Sequence, residues 1–96
     1  MIRHVVCFRF KESEKAALGA AKELLLSMNG RVPTAKKIAV HLDELRSPRS
    51  FDLMLEVWLD DFAALEEYQR DAYHAGTVKP FMHEKGETSI SMDFTE

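Results

Sequence analysis

Phe51-Asp52-Leu53-Met54-Leu55-Glu56-Val57-Trp58-Leu59 is the stretch of the chain that decides the fold. Large apolar residues stand at every odd position from 51 to 59 without a break. Side chains alternate between the two faces of a β-strand, so this pattern predicts a strand with one face in a hydrophobic core. The opposite face mixes two carboxylates with Met54 and Trp58, whereas a fully solvated face is more uniformly polar.

Three further segments have strand character. Residues 2–10 are dominated by β-branched and aromatic residues, and residues 38–42 alternate over a shorter length. In the first of these strands, parity assigns to the core face Ile2, His4, Val6, Phe8 and Phe10. In the last strand, residues 87–94, we expect inward-pointing side chains at Thr88, Ile90, Met92 and Phe94, and outward-pointing side chains at Ser89, Ser91 and Asp93.

Two segments predict helices. Residues 14–28 are rich in Ala, Leu, Lys and Glu, and Ser13 is a suitable N-cap. A second helix begins after Asp60 or Asp61, and Tyr73-His74-Ala75-Gly76 breaks or redirects it. The resulting order is β-α-β-β-α-β, which is typical of an α+β, ferredoxin-like fold. We therefore expect one domain, residues 1–96, with a four-stranded antiparallel sheet and helices on one face.

The amino-acid composition is that of a globular protein and excludes a disordered tail, a collagenous repeat and a coiled-coil rod. The chain has 96 residues, of which 46% are hydrophobic and 30% charged, with a net charge of −3. The 13 Lys and Arg residues are scattered, so we expect neither nucleic acid nor an anionic membrane as a partner. No apolar run reaches the ~20 residues that cross a bilayer, and residues 1–10 lack the pattern of a signal peptide. Together with the single cysteine, Cys7, this predicts a cytoplasmic protein.

The uncovered face of the sheet predicts a second copy of the chain. Helices on one side leave Val5, Cys7, Met54 and Trp58 on the other, among charged residues. A tryptophan buries 150 Å² or more when it is covered, so an open position for Trp58 favours a homodimer that closes the two sheets face to face. The alternative is a monomer with a mostly charged outer face and a partly shielded Trp58.

Two histidines are candidates for chemistry. His4 stands on the core face of the first strand, and His74 follows the second helix, near Tyr68. In this fold the two imidazoles are expected to approach each other and to move protons. His74 is then the expected base, His4 orients it or the substrate carbonyl, and Tyr68 donates a hydrogen bond to the ligand. The alternative is that both histidines are structural. No histidine or cysteine has metal-ligand spacing, so we expect no metal and no cofactor.

A hydrophobic ligand pocket beside these histidines would be lined by Val6, Phe8, Leu25, Phe62 and Phe81. Aromatic residues at such positions are also typical of an ordinary core. The predicted ligand is a small apolar or aromatic metabolite.

The chain resembles the stress-responsive α/β-barrel (Dabb) family. The resemblance is carried by Ile-Arg-His-Val-Val-Cys-Phe-Arg-Phe-Lys at residues 2–11, by Phe51-Asp52-Leu53-Met54-Leu55-Glu56-Val57, and by Ser91-Met92-Asp93-Phe94. It implies a dimeric α/β barrel of ferredoxin-like subunits. Most members of the family have no assigned activity, and a few are enzymes, including a plant polyketide cyclase. His4, His74 and Tyr68 match three of that enzyme's site positions, which implies cyclase-like acid–base chemistry.

Two other functions remain open from the sequence. Trp58 together with two histidines is compatible with a monooxygenase of the wider dimeric α/β-barrel group, with haem or an oxygen-sensitive quinol in its site. A non-enzymatic stability or interaction module is the other alternative. It predicts no cavity larger than a few waters near His4 and His74, and a pocket of about 300 Å³ or more lined by both would speak against it.

Overall fold

The fold is described by a computed structural model that covers all residues, Met1–Glu96. Four strands form one antiparallel sheet in the order β2-β3-β1-β4. Their bounds are β1, Ile2–Phe10; β2, Lys37–Leu42; β3, Leu53–Leu59; and β4, Gly86–Thr95. The α-helices are α1, Leu18–Leu26; α2, Phe62–Arg70; and α3, Lys79–Lys85. This is the predicted α+β, ferredoxin-like arrangement, with one helix more than expected.

Short irregular turns account for the differences in the helices. Residues Glu12–Ala17 wind as a 3₁₀ helix before α1, and Glu14 N–H donates to the Lys11 carbonyl at 2.8 Å. Ser13 lies inside this turn and caps nothing, so the predicted helix 14–28 is shorter than expected. In α2, Asp61 is the N-cap, and its carboxylate accepts the Ala64 N–H at 2.8 Å. None of the helices combines the length and the apolar character that a membrane-spanning segment requires.

The core lies between the helices and one face of the sheet. The alternating residues of β3, Leu53, Leu55, Val57 and Leu59, are all buried, as their pattern predicts. Each apolar side chain of this kind that leaves water contributes roughly 1.5–3 kcal/mol, so the buried face of β3 fixes which side of the sheet the helices cover.

The last strand faces the opposite way from the prediction. Antiparallel partners share a face, and β4 pairs Ser91 with Val6 and Asp93 with His4, so the polar side chains of β4 point toward the helices. Its apolar side chains lie on the open face, where Ile90 is 57% and Met92 68% exposed. The inward assignment was wrong because alternation separates two faces without saying which one the helices cover.

The open face is more apolar than the sequence suggested. Trp58 is half-buried, and Phe94 lies on the same side of the sheet. The Arg3 guanidinium lies over the Trp58 ring at 4.7 Å and pairs with Glu56 at 3.2 Å. These contacts shield the tryptophan but leave Ile90 and Met92 of β4 uncovered.

Candidate functional site

A cavity of about 200 Å³ lies between the sheet and the helices. Its walls come from β1, β3, β4 and all three helices, and from the turn after α2. Its lining residues are His4, Val6, Phe8, Leu25, Leu55, Tyr68, Gln69, His74, Val78, Lys79, Met82, His83, Ser89 and Ser91. One side is therefore aliphatic and the other carries hydroxyl, amide, amine and imidazole groups. Both candidate histidines open onto the same space.

His4 is held by strand pairing on both sides. In β1 it stands opposite Val57 of β3 and Asp93 of β4, and it is only 7% exposed. Its Nδ1 contacts the Asp93 carboxylate. An ionised carboxylate only accepts hydrogen bonds, so this contact fixes a proton on Nδ1 and leaves the lone pair on Nε2. His4 thus has the arrangement of an imidazole oriented by a carboxylate.

Tyr68 lies between the two imidazoles. It is fully buried on the inner face of α2, and its hydroxyl donates to the Met28 sulfur at 3.9 Å. Its ring stacks on His74 with centroids 4.2 Å apart and meets His4 edge-on at 5.8 Å. Burial raises the pKa of the phenol, so Tyr68 stays protonated. Its ring fixes the positions of both histidines, while its hydroxyl is engaged with Met28.

His74 is positioned by the end of α2. The Asp71 carboxylate accepts the N–H groups of Tyr73 at 2.8 Å and His74 at 3.2 Å, and a π-helical turn, His74–Val78, follows. His74 is 7% exposed, and its Nδ1 is buried without a hydrogen-bond partner. Burial lowers the pKa of His74 to about 4, and the positive charge of Lys79 acts in the same direction. His74 is therefore neutral at physiological pH.

A model of the Dabb family, the stress responsive A/B barrel domain, matches residues 2–96. The chain belongs to this family. Among solved structures it is similar to a dimeric protein of unknown function and ferredoxin-like fold from Bacteroides fragilis. The identity is 19% and the TM-score 0.85, over 99% of this chain and 95% of that one.

Two further structures share the fold of this Dabb chain. A dimeric ferredoxin-like protein of unknown function from Thermobifida fusca is 18% identical, with a TM-score of 0.86 over 99% and 90% of the two chains. An antibiotic biosynthesis monooxygenase is 11% identical, with a TM-score of 0.80 over 100% and 98%. At these identities the likeness is one of fold. No curated protein matches the sequence.

The structure gathers most, but not all, of the predicted site residues of this Dabb domain. Those that line the cavity are His4, Val6, Phe8, Leu25, Tyr68 and His74. Phe62 is the first residue of α2 and is 51% exposed, and Phe81 is half-buried with its ring 5.8 Å from the Lys85 amine. Neither residue lines the cavity. The sequence could not reveal this, because helical periodicity does not fix how a helix is rotated about its axis.

Sequence reasoning missed several polar residues of the site. Asp93 and Ser91 were assigned to the other face of the sheet, and Lys79 and His83 received no role. The signal that would have found the first two is the register of β4 against β1, which pairs them with His4 and Val6. No local pattern marks Lys79 or His83.

A larger cavity of about 630 Å³ lies at the other end of the sheet and is lined mainly by polar and charged residues. Asp52 accepts hydrogen bonds there from the Lys15 amine at 2.8 Å and the Phe10 N–H at 2.7 Å. Burial alone would raise the pKa of Asp52, but these hydrogen bonds outweigh it and hold the pKa below its ordinary value. Through Asp52, these contacts join the end of β1 to the 3₁₀ turn. Nowhere in the chain do three His, Cys, Asp or Glu side chains meet in a possible metal site.

Proposed function

We propose that this chain binds a small apolar or aromatic metabolite between the sheet and the helices and transfers a proton on it. The observation that carries this proposal is that two buried imidazoles, His4 and His74, line one cavity whose opposite wall is aliphatic. At about 200 Å³ the cavity exceeds a few waters, although it is smaller than most drug-sized pockets. It therefore suits a ligand of one or two rings.

The two histidines have different roles in this proposal. His4, with its proton fixed on Nδ1 by Asp93, presents Nε2 as the general base. His74 has a pKa of about 4 and is a weak base, so it serves as a neutral hydrogen-bond donor to a carbonyl oxygen of the ligand. His74 was expected from the sequence to be the base, and the contact of Asp93 with His4 favours the reverse assignment.

The reaction class is proton abstraction next to a carbonyl. Nε2 of His4 takes a proton from the carbon, the electron pair moves onto the carbonyl oxygen as an enolate, and the N–H of His74 stabilises that oxygen. Return of a proton from Nε2 of His4 to the same carbon completes an exchange, and return to another carbon of the conjugated system completes an isomerisation. Attack of the enolate carbon on a second carbonyl forms a carbon–carbon bond and an alkoxide, and the proton on His4 neutralises that alkoxide to complete a cyclisation. General acid–base catalysis of this kind typically contributes 10²–10⁴-fold in rate.

The other two functions receive less support from the geometry. Trp58 lies across the sheet from the histidines, so no single site unites it with both imidazoles. A purely structural histidine is normally fully hydrogen-bonded when buried, whereas Nδ1 of His74 has no partner. Residence in the cytoplasm and the lack of nucleic-acid and membrane partners stay predictions from the sequence.

We further propose that two chains form a homodimer through the open face of the sheet. Ile90, Met92 and Phe94 form an uncovered apolar row on β4, and similar solved structures are described as dimeric. Pairing these rows across a two-fold axis buries them and closes the two sheets into a barrel. Each subunit keeps its own cavity on the far side of its sheet.

Proton exchange on a simple ketone tests the proposed chemistry. We expect the protein to accelerate the exchange of the α-protons of 2-tetralone for deuterium in heavy water, followed by proton NMR. His4→Phe should abolish the acceleration, because the ring remains and the base is lost. His41→Gln, on the other face of the sheet, is the matched control and should keep it. Equal rates for the wild type and His4→Phe would overturn the assignment.

A further inference from the structure

The charge around the cavity is one-sided. No aspartate or glutamate lines it, and Lys79 is its only residue with a permanent charge. Two carboxylates lie near the site without lining the cavity: Asp93 contacts Nδ1 of His4, and Asp71 accepts the N–H groups of Tyr73 and His74. The wall opposite the aliphatic side therefore offers donors and positive charge without a matching carboxylate.

Lys79 is itself unpaired. It is the first residue of α3 and half-buried, yet it takes part in none of the ion pairs of the chain. Lys15, Lys36 and Lys85 have carboxylate partners within 4 Å, whereas Lys11, Lys22 and Lys37 have none but, unlike Lys79, do not line the cavity. Because Lys79 also lines the cavity, its ammonium group is available to pair with an anionic group of a ligand there.

Two residues near Lys79 add polar groups to the same wall of the cavity. His83 lies one helical turn after Lys79 on α3 and lines the same cavity, and the Ser91 hydroxyl reaches the cavity from β4. Nδ1 of His74, buried and without a partner, is a further polar group in the lining. These groups form a set of donors beside a single cation.

We propose that Lys79 binds a carboxylate of the ligand, so that the cavity takes a small apolar or aromatic carboxylic acid. This inference rests on the proposed function of the cavity and names the class of its ligand. The carboxylate pairs with the Lys79 ammonium and accepts from the neighbouring hydroxyl, while the apolar body lies against Leu25 and Leu55. One cation beside neutral donors suits a singly charged carboxylate better than a phosphate dianion, which is usually held by several cations.

A matched pair of probes tests this class of ligand. We expect 2-naphthoate to bind the wild-type protein roughly tenfold or more tightly than 2-naphthamide, its neutral isostere, as measured by isothermal titration calorimetry. Non-specific attraction works against this result, because the chain has a net charge of −3. Lys79→Met should remove the preference and Lys79→Arg should keep it.

Lys22→Met is the control for the change in net charge. Lys22 lies on α1 in no ion pair, is half-buried like Lys79, and does not line the cavity, so this variant should keep the preference. Equal binding of both probes to the wild type, or a preference that survives Lys79→Met, would overturn the inference while leaving the pocket itself supported. If neither probe binds, the proposed ligand-binding pocket is overturned as well. The failure of the carboxylate inference and the failure of the pocket are therefore distinguishable.

Discussion

The two faces of the sheet differ in where their polar and apolar residues lie. On the helix-covered face, the buried aliphatic residues of β3 lie on one side of His4, and the exposed Asp93 of the edge strand β4 lies on the other. On the open face, Ile90 and Met92 are exposed beside charged Arg3. The strand β4 thus turns its polar side toward the core and its apolar side toward solvent. Exposed apolar side chains are costly for an isolated subunit. The arrangement is explained if the polar inner side of β4 contacts a ligand and its apolar outer side contacts a second chain.

The substitution with the largest expected effect disrupts the proposed dimer interface. Met92→Glu places a carboxylate on the open face, at a position that a partner would cover. Burial of that group costs about 2–3 kcal/mol, and a two-fold axis counts it twice, so the dimer should weaken by at least about a thousandfold. Sedimentation equilibrium should show monomers at concentrations where the wild type is dimeric.

Leu45→Glu is the matched control for this change. Leu45 lies in the loop between β2 and β3 and is 82% exposed, so the same substitution there should leave the dimer intact. A monomeric wild type, or a Met92→Glu variant that associates as tightly as the wild type, would contradict the proposed interface.

The next effect belongs to the covered face and depends on pH. The pKa of His74 falls from 6.5 in the unfolded chain to about 4 in the fold, so the unfolded chain binds a proton first as the pH falls. As the pH falls from 6.5 to 4, His74 therefore lowers the free energy of unfolding by about 3 kcal/mol. In His74→Phe this loss should disappear, so urea unfolding at pH 4.5 and 7.5 should differ less than in the wild type. Equal pH dependence in both proteins would contradict the buried, neutral imidazole.

A pair of valines sharpens the contrast between the faces. Val57 is fully buried under the helices, and Val5 is half-buried on the open side. In a Met92→Glu background, Val57→Ala should lower the free energy of unfolding by about 2 kcal/mol, and Val5→Ala by no more than about 1 kcal/mol. Urea denaturation measures both values. Equal losses would mean that the two faces are equally covered in the single subunit.

The smallest effect concerns the charges of the open face. Arg3→Met removes the ion pairs with Glu56 and Glu96 and the contact with the Trp58 ring. Partly exposed ion pairs are worth little, so thermal unfolding of the same monomeric background should change by less than about 1 kcal/mol. A loss of several kcal/mol would show that this network, and not the covered core, holds the sheet together.

The sequence predicts the architecture well for a physical reason. Burial of one face imposes a period of two on a strand, so residues 53–59 reveal β3 and its inner side. The topology also brings His4 and His74 to one cavity, as expected from a strand start and a helix end that meet in this fold. Family resemblance and physical pattern agree on these points.

The remaining parts depend on contacts that no local pattern contains. The pairing of Asp93 with His4 is set by the register of β4, and alternation alone gave the wrong side. Whether Phe62 or Lys79 reaches the cavity depends on the rotation of α2 and on the π-helical turn before α3. The sequence therefore predicts the two imidazoles but not the carboxylate and the ammonium group that set their environment.

NMR of the histidine side chains tests the central claim most directly. In protein labelled with ¹⁵N at its imidazoles, titration with 2-tetralone should shift the ring signals of His4 and His74 with one common concentration dependence. The His41 ring, on the other face of the sheet, should stay in place. Binding of 2-tetralone that leaves both rings unmoved, or that moves only one of them, would contradict a single cavity shared by the two imidazoles.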